Sequence, residues 1–455
     1  MPESFDVIVI GGGPGGYVAA IRAAQLGQRT AVVERDKAGG RCLNYACIPA
    51  KTILRTAEIF DEARNGAELG ITGEVAIDWP ALQARRAKVS ESLSKGVEFL
   101  WDKGKITKIE GEGSLTADGN VAVGGEVYEA KAVVLATGSV ALPIPGVEFG
   151  GRVVDTWGAW SLTEQPSKIA VVGAGASGSE IASAYSRLGT EVILIEMLPQ
   201  ILPAEDKDIA KVVERVFKKE GIEISTGAPV ENVEVSEGSV RFTYGDKSAE
   251  VDYLCVAGGR GPDTEALGLE AAGVQLDEGG RKIKVDEFQR TTNPKVFAIG
   301  DLVNKKALAH KAEEEGVVAV ETAAGVETEP VDQELLVGAT FTHPQVASVG
   351  LTEAQAKEAG HEVKIGKQKI SGEGAGTVYD DKDGLVKLVV DAKYGEILGA
   401  HIVGNRACDM IAELVAAMAL EGGAQELARI VHPHPTVSEA VLDAARAVDG
   451  WAIHA

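Results

Sequence analysis

Short runs of apolar, β-branched residues recur along this chain, and twice such a run is followed by glycines and then by small residues. Phe5-Asp6-Val7-Ile8-Val9-Ile10 is the first run, and it predicts a strand buried on both faces. Gly11-Gly12-Gly13-Pro14-Gly15-Gly16 follows, then Tyr17 to Gly27 as a small-residue helix stopped at Gly27. Ala31-Val32-Val33-Glu34 predicts the next strand, ending in an acid. The order returns about 160 residues later. Lys168 to Val172 leads into Gly173-Ala174-Gly175-Ala176-Ser177-Gly178, a helix over 179–188, a strand Glu191 to Ile195 and then Glu196. Further buried strands are predicted at Ala132 to Ala136, Tyr253 to Ala257 and Val296 to Asp301. Residues 56–100 read as polar helix, with Pro80 opening a second one, and residues 105–130 as short strands turning at Asp118-Gly119 and Gly124-Gly125. A helix opens at Ala309-His310-Lys311. From about residue 338 strand-like segments run to 404, and a helix of small residues covers Ala407 to Leu420. The fold class is α/β, with two Rossmann-type units and a C-terminal α+β module.

Strand, glycine loop, helix and acid-tipped strand in one unit are the components of a dinucleotide site. Gly11, Gly13 and Gly16 let the backbone approach a pyrophosphate at a helix N-terminus, and Glu34 can accept from ribose hydroxyls. The bland alternative is a tight turn without ligand. Gly173, Gly175 and Gly178 repeat the pattern. Glu196 there favours NAD over NADP, because a carboxylate repels a 2′-phosphate and Met197-Leu198-Pro199-Gln200 brings no arginine. A merely solvated strand end is the alternative for Glu196.

Composition narrows the partners. A net charge of −23 argues against nucleic acid and anionic membranes. No run of 18 apolar residues predicts a spanning helix, and the first residues lack a secretory pattern. Four cysteines in 455 residues are no disulfide framework, so a reducing cytoplasm is expected.

Two of those cysteines stand five positions apart in Gly40-Arg41-Cys42-Leu43-Asn44-Tyr45-Ala46-Cys47-Ile48-Pro49-Ala50-Lys51. On an ideal helix that spacing separates their Cα atoms by roughly 8 to 9 Å, beyond the ~7 Å a disulfide spans. A bridge needs a distorted turn, and Pro49 makes distortion just before it plausible. The alternative is two buried free thiols. Cys255 lies in an apolar run and reads as a small hydrophobe, and Cys408 as structural. Near the end, His432-Pro433-His434-Pro435 precedes Glu439. A His oriented by a carboxylate is an acid–base pair. Metal binding and a plain surface role remain open on these residues; no Cys or third His is near.

Taken together, the cysteine stretch, both glycine motifs, Gly300-Asp301, His310-Lys311-Ala312-Glu313 and His434-Pro435-Thr436 with Ser438-Glu439 are specific. The whole chain resembles the dihydrolipoamide dehydrogenases, within the FAD-dependent pyridine nucleotide-disulfide oxidoreductases. The resemblance implies an FAD domain over 1–145, an NAD domain over 146–265, a segment 266–337 that completes the FAD domain, and a dimerisation domain over 338–455. It implies FAD at Gly11, Gly13, Gly16, Glu34, Thr137, Gly138, Ser139 and Asp301, with Lys51 near the flavin and paired with Glu180. It implies NAD at Gly173, Gly175, Gly178 and Glu196. Cys42 would exchange with the substrate dithiol, and Cys47 would face the flavin as a thiolate. His434, oriented by Glu439, would be the base, both coming from the other subunit of a homodimer. No metal is implied. The expected partners are lipoyl domains and the subunit-binding domain of a 2-oxoacid dehydrogenase complex, or the lipoyl carrier of glycine cleavage. The related alternative is a glutathione or mercuric reductase. The former lacks its NADPH-binding arginines here, and the latter its C-terminal cysteine pair. Arg41, Ala46 and Ala50 depart from the usual Thr, Gly and Ser. Arg41 is expected to lower the Cys42 pKa or help a carboxylate-bearing partner dock.

Overall fold

The computed structural model describes residues 3–303 and 306–454. The chain forms two compact units, each built from discontinuous segments. The first comprises residues 1–52, 80–142 and 259–331; the second comprises 53–79, 143–258 and 332–455.

In the first unit the strand Ser4–Ile10 is central. It pairs in parallel with Thr30–Glu34 on one side and with Glu126–Leu135 on the other. Its alternate side chains enter two cores: Ile8 and Ile10 join one, Val7 and Val9 the other. Burial on both faces is why the run is apolar throughout. The ten-residue strand Glu126–Leu135 serves two partners in turn. Its first residues pair antiparallel with Val121–Val123, and its last with Val296–Ala298 in parallel. The helix Pro14–Gln25 packs on the helix Ala309–Ala324 through two glycines. A Cβ on Gly15 would come within 2.6 Å of the Ala312 carbonyl oxygen, and one on Gly316 within 2.6 Å of that of Gly15.

The second unit holds a five-stranded parallel sheet in the order Glu223–Thr226, Glu191–Glu196, Lys168–Val172, Tyr253–Val256, Val153–Val154. It also holds an antiparallel five-stranded sheet built from residues 338–404, covered by the helices Ala407–Ala419 and Glu439–Val448. Residues 53–79 are tied into this unit by polar contacts. Arg187 places both Nε and Nη2 3.2 Å from Oδ2 of Asp61, and Trp79 Nε1 donates to the Leu162 carbonyl at 2.8 Å. Cys255 is fully buried, as its apolar run suggested.

Two expectations change at their edges. The glycine-motif helices begin at Pro14 and Ala176, so the last glycine of each motif lies inside the first turn. Residues 56–100 are not continuously helical: the chain leaves the helix Cys47–Arg64, makes a short turn of helix at Gly66–Leu69, and re-enters at Trp79. Gly70, at φ +77°, caps the short turn of helix in the left-handed conformation. Among the described residues no helix is long and apolar enough to cross a membrane.

Candidate active site

The cysteine stretch lies against the first glycine loop. The Gly39 amide donates to the Gly12 carbonyl at 2.8 Å, and a Cβ on Gly40 would meet Gly13 Cα at 2.6 Å. Cys42 sits in a short helix, Gly40–Tyr45, and Cys47 opens the next, Cys47–Arg64. Between them Ala46 takes φ −136°, ψ −92°, outside helical geometry. The distortion that the spacing demanded is therefore at Ala46 itself. Pro49 lies in the first turn of the second helix, where its missing N–H costs nothing.

The break lets the two side chains meet. Both cysteines are free thiols, and Cys42 is hydrogen-bonded to Cys47. That bond, then burial and then the negative charge of Cys47 and Glu313, push the Cys42 thiol far up, while Lys51 opposes them. Tyr17 and Glu313 flank Cys42. They are hydrogen-bonded to each other; burial and then Glu313 raise Tyr17 to about 12, and burial raises Glu313. Tyr17 gave no signal in sequence. Glu313 stood in a quoted motif with no role attached.

The two glycine cradles are near copies. The Glu34 carboxylate accepts from the amides of Gly12 at 2.7 Å and Asp36 at 2.8 Å. Glu196 accepts from Ala174 at 2.7 Å and Leu198 at 2.9 Å. Gly11 and Gly173 sit at φ +106° and +98°, conformations that disfavour any side chain. A Cβ on Gly16 would overlap the Gly11 carbonyl oxygen, and one on Gly178 that of Gly173. Nothing lies within 4 Å of the Cβ positions of Gly13 and Gly175, at the helix N-termini. Open space before a helix N-terminus, a backbone without side chains and a fixed carboxylate fit a dinucleotide in both places. In the second cradle Glu180 is buried and accepts from the Phe341 amide at 2.9 Å.

Of the remaining predicted first-cradle residues, Ser139 and Asp301 meet. The Ser139 hydroxyl donates to Asp301 Oδ2, and Arg260 Nε donates to Ser139 Oγ at 2.9 Å. Thr137 Oγ1 donates to the Asp263 carbonyl at 2.7 Å, and Gly138 takes φ +77° between them. The Gly300-Asp301 turn is held from beneath by a buried ion pair. Lys311 and Glu315 are fully buried and 3.1 Å apart; Lys311 Nζ donates to the Gly300 carbonyl at 3.2 Å and the Gly300 amide to Glu315 Oε2 at 2.8 Å. Burial pushes the Glu315 carboxyl up. This support is invisible in sequence, because only the turn at Gly300 brings its amide back over a helix fifteen residues on.

His434 and Glu439 form the expected pair. His434 Nδ1 lies 2.9 Å from Glu439 Oε1, and the Thr436 amide donates to Glu439 Oε2 at 2.9 Å. Burial alone would raise the Glu439 carboxyl; the Thr436 amide and His434 outweigh it and hold it low. The imidazole is 74% exposed, which leaves Nε2 as the outward nitrogen. His432 turns elsewhere: its Nε2 meets Glu413 Oε1 at 2.6 Å and its Nδ1 meets the Ile430 carbonyl at 3.1 Å. The two histidines therefore do not converge on one metal.

Residues 5–316 match the profile of the pyridine nucleotide-disulphide oxidoreductases, and residues 337–445 that of the family's dimerisation domain. The chain is 41% identical to a dihydrolipoyl dehydrogenase of Rhizobium etli, over 98% of each chain. It is 41% identical to one of Cupriavidus necator, over 99% of each, and 40% identical to one of Geobacillus stearothermophilus, over 99% of this chain and 97% of the relative. Among solved structures it resembles LpdA from Mycobacterium tuberculosis, with a TM-score of 0.89 at 26% identity over 98% of this chain and 99% of that one. It also resembles the HOCl-induced flavoprotein disulfide reductase RclA from Escherichia coli, with a TM-score of 0.88 at 26% identity over 98% and 100% of the chains. A paired dithiol beside one of two dinucleotide cradles, the dimerisation module and full-length similarity place this chain in the pyridine nucleotide-disulphide oxidoreductase family.

Proposed function

We propose that the chain is a dihydrolipoyl dehydrogenase: it oxidises dihydrolipoamide to lipoamide and reduces NAD+ to NADH. The observation that carries the reading is the Cys42–Cys47 pair, hydrogen-bonded across the break at Ala46. In the oxidised enzyme the two sulfurs are joined. His434 takes a proton from one thiol of dihydrolipoamide. The resulting thiolate attacks Cys42, and the Cys42–Cys47 bond breaks. The second substrate sulfur displaces Cys42, which closes the lipoyl disulfide and leaves the electron pair on the cysteines. Cys47 leaves the disulfide as a thiolate, and the proton of the second substrate thiol passes to the departing Cys42, which is hydrogen-bonded to Cys47. FAD, when bound, carries that electron pair to the nicotinamide as hydride. Gly11, Gly13, Gly16, Glu34, Thr137, Gly138, Ser139 and Asp301 would hold FAD, with Lys51 near it. Gly173, Gly175, Gly178 and Glu196 would serve NAD.

The reading extends to assembly. The 337–445 match supports a homodimer, in which His434 and Glu439 of one subunit would serve the cysteines of the other. Residues 1–145 and 266–337 would form the FAD domain, 146–265 the NAD domain and 338–455 the interface. In a reducing cytoplasm the enzyme would serve lipoyl domains of a 2-oxoacid dehydrogenase complex or of glycine cleavage. With a net charge of −23, docking on a basic subunit-binding domain should weaken as salt is raised; salt-indifferent binding sinks that part.

The deciding experiment is NAD+ reduction by free dihydrolipoamide, with NADP+ and glutathione as controls. Activity with dihydrolipoamide and NAD+ alone supports the proposal; preference for glutathione disulfide and NADPH overturns it. A second test separates the cradles. Gly178→Ala, whose methyl would overlap the Gly173 carbonyl, should keep its flavin absorbance and raise the KM for NAD+ at least about tenfold. Gly16→Ala should instead lose flavin, read as the visible absorbance per protein. Flavin loss from Gly178→Ala and not from Gly16→Ala would reverse the assignment.

A further inference from the structure

The chain's last residues return to the His434–Glu439 pair. His454 is held at three atoms. Its amide donates to Asp443 Oδ2 at 2.9 Å, its Nδ1 lies 3.0 Å from that same oxygen and 3.5 Å from Glu373 Oε2, and its carbonyl accepts from Gln368 Nε2 at 2.7 Å. Gln368 Nε2 also donates to Glu373 Oε1 at 3.0 Å. Glu373 is 3% exposed and Asp443 1%. Two buried carboxylates thus share one imidazole.

Both carboxylates neighbour Glu439. Asp443 stands four residues after Glu439 on the helix Glu439–Val448, so the two lie on one face. Glu373 precedes Gly374, whose Cβ position is 3.8 Å from His434 Cε1. The charged groups facing this cluster are Glu373 beside Gln368 of the strand Val363–Lys369, Glu439, Asp443 and Arg446 of the helix, and His434. Arg446 Nη1 donates to the other Asp443 oxygen at 2.8 Å. Burial raises the Glu373 carboxyl, Asp443 and Glu439 add to that, and His454 acts against it. Glu439 is influenced by His454 as well as by His434.

We propose that His454 is a positioning residue for the His434–Glu439 pair. By engaging Asp443 and Glu373 it keeps two buried carboxylates from loading negative charge onto Glu439, and so sets how readily His434 accepts a proton. His454 touches no substrate in this role. Without it Asp443, which is held low, is left as a like charge behind Glu439, and that favours the protonated form of the base.

The inference rests on the dihydrolipoyl dehydrogenase reading. The test uses the FAD-loaded full chain as wild type, His454→Ala and His454→Gln. It measures kcat/KM for dihydrolipoamide against pH, ferricyanide reduction by NADH (which bypasses the base) and the thermal midpoint. In His454→Ala the acid limb of the pH profile should move up by roughly half a unit, with ferricyanide reduction within about twofold of wild type. His454→Gln, which keeps a donor toward Asp443, should fall between the two. An acid limb that stays in place overturns the inference, as does an equal fall in both reactions. A wild type inert toward dihydrolipoamide overturns the functional reading and this inference with it; an active wild type with an unmoved limb overturns this inference alone.

Discussion

Cys42→Ser is expected to abolish NAD+ reduction by dihydrolipoamide, with a loss of at least roughly ten-thousandfold, while ferricyanide reduction by NADH persists. The reason is the division of labour between the two sulfurs. In the proposed reaction Cys42 meets the substrate and Cys47 the flavin; the hydrogen bond to Cys47 and burial push the Cys42 thiol up. Exchange needs a sulfur at position 42 for the substrate thiolate to attack; a hydroxyl cannot form the mixed disulfide. Electron transfer between NADH and an artificial acceptor needs neither cysteine. The variant also isolates Cys47, with Lys51 nearby as a cation. Cys42→Ser should therefore show long-wavelength absorbance with the flavin oxidised, from a lone Cys47 thiolate, and Cys47→Ser should not. Equal spectra from the two variants would mean that the sulfurs are not differentiated.

Lys387→Met is expected to destabilise the second unit by about 3 to 5 kcal/mol. Lys387 is 2% exposed and meets four carboxylate oxygens: both of Asp206, at 2.9 and 3.0 Å, Asp208 Oδ2 at 2.9 Å and Glu353 Oε2 at 2.8 Å. Burial alone would lower the lysine pKa; the three carboxylates outweigh it and raise it. Asp206 is itself 3% exposed and caps the helix Lys207–Lys219 through the Asp208 amide. Removing the ammonium strands that carboxylate without a cation, and an uncompensated buried charge is costly. The thermal midpoint should drop on the order of 10 °C; a drop under about 2 °C would sink the argument.

The same network gives a signed pH dependence. Lys367, then Lys387, hold Asp208 at about 2, and Lys357, then Lys387, hold Glu353 at about 2. A carboxylate with a depressed folded pKa contributes stability that is present above its unfolded value, near 4, and is lost as the pH falls toward 2. His401 works in the same direction. Burial lowers its pKa, its Nε2 is spent on the Leu351 carbonyl at 3.0 Å, and acid must charge it in the unfolded chain first. Wild type should lose stability steeply between about pH 4 and pH 2, and Lys387→Met should be flatter there.

Much of this was legible in the residues themselves. Runs such as Phe5 to Ile10 are short-range signals, because burial on both faces demands apolar residues without alternation. The glycine motifs are legible for a steric reason. A methyl on Gly16 or Gly178 would overlap a carbonyl one turn back, so no other residue writes that turn. The distortion between Cys42 and Cys47 followed from helix geometry alone. Its place did not. Pro49 drew attention as the helix breaker, yet it fits the first turn of the second helix, and Ala46 carries the break.

By itself, then, the sequence marked out the two glycine cradles, the paired cysteines and the His434–Glu439 pair, because each is encoded by spacing within one short segment. Only the tertiary structure decided what stands behind them. Lys311 and Glu315 under the Gly300 turn, Tyr17 and Glu313 beside Cys42, Lys387 among three carboxylates, and His454 on Asp443 and Glu373 all depend on segments brought together by folding. A buried charge is written in sequence like any surface charge. Its meaning comes from the partner it meets after water has been excluded, and that partner lies too far along the chain for any local pattern to name.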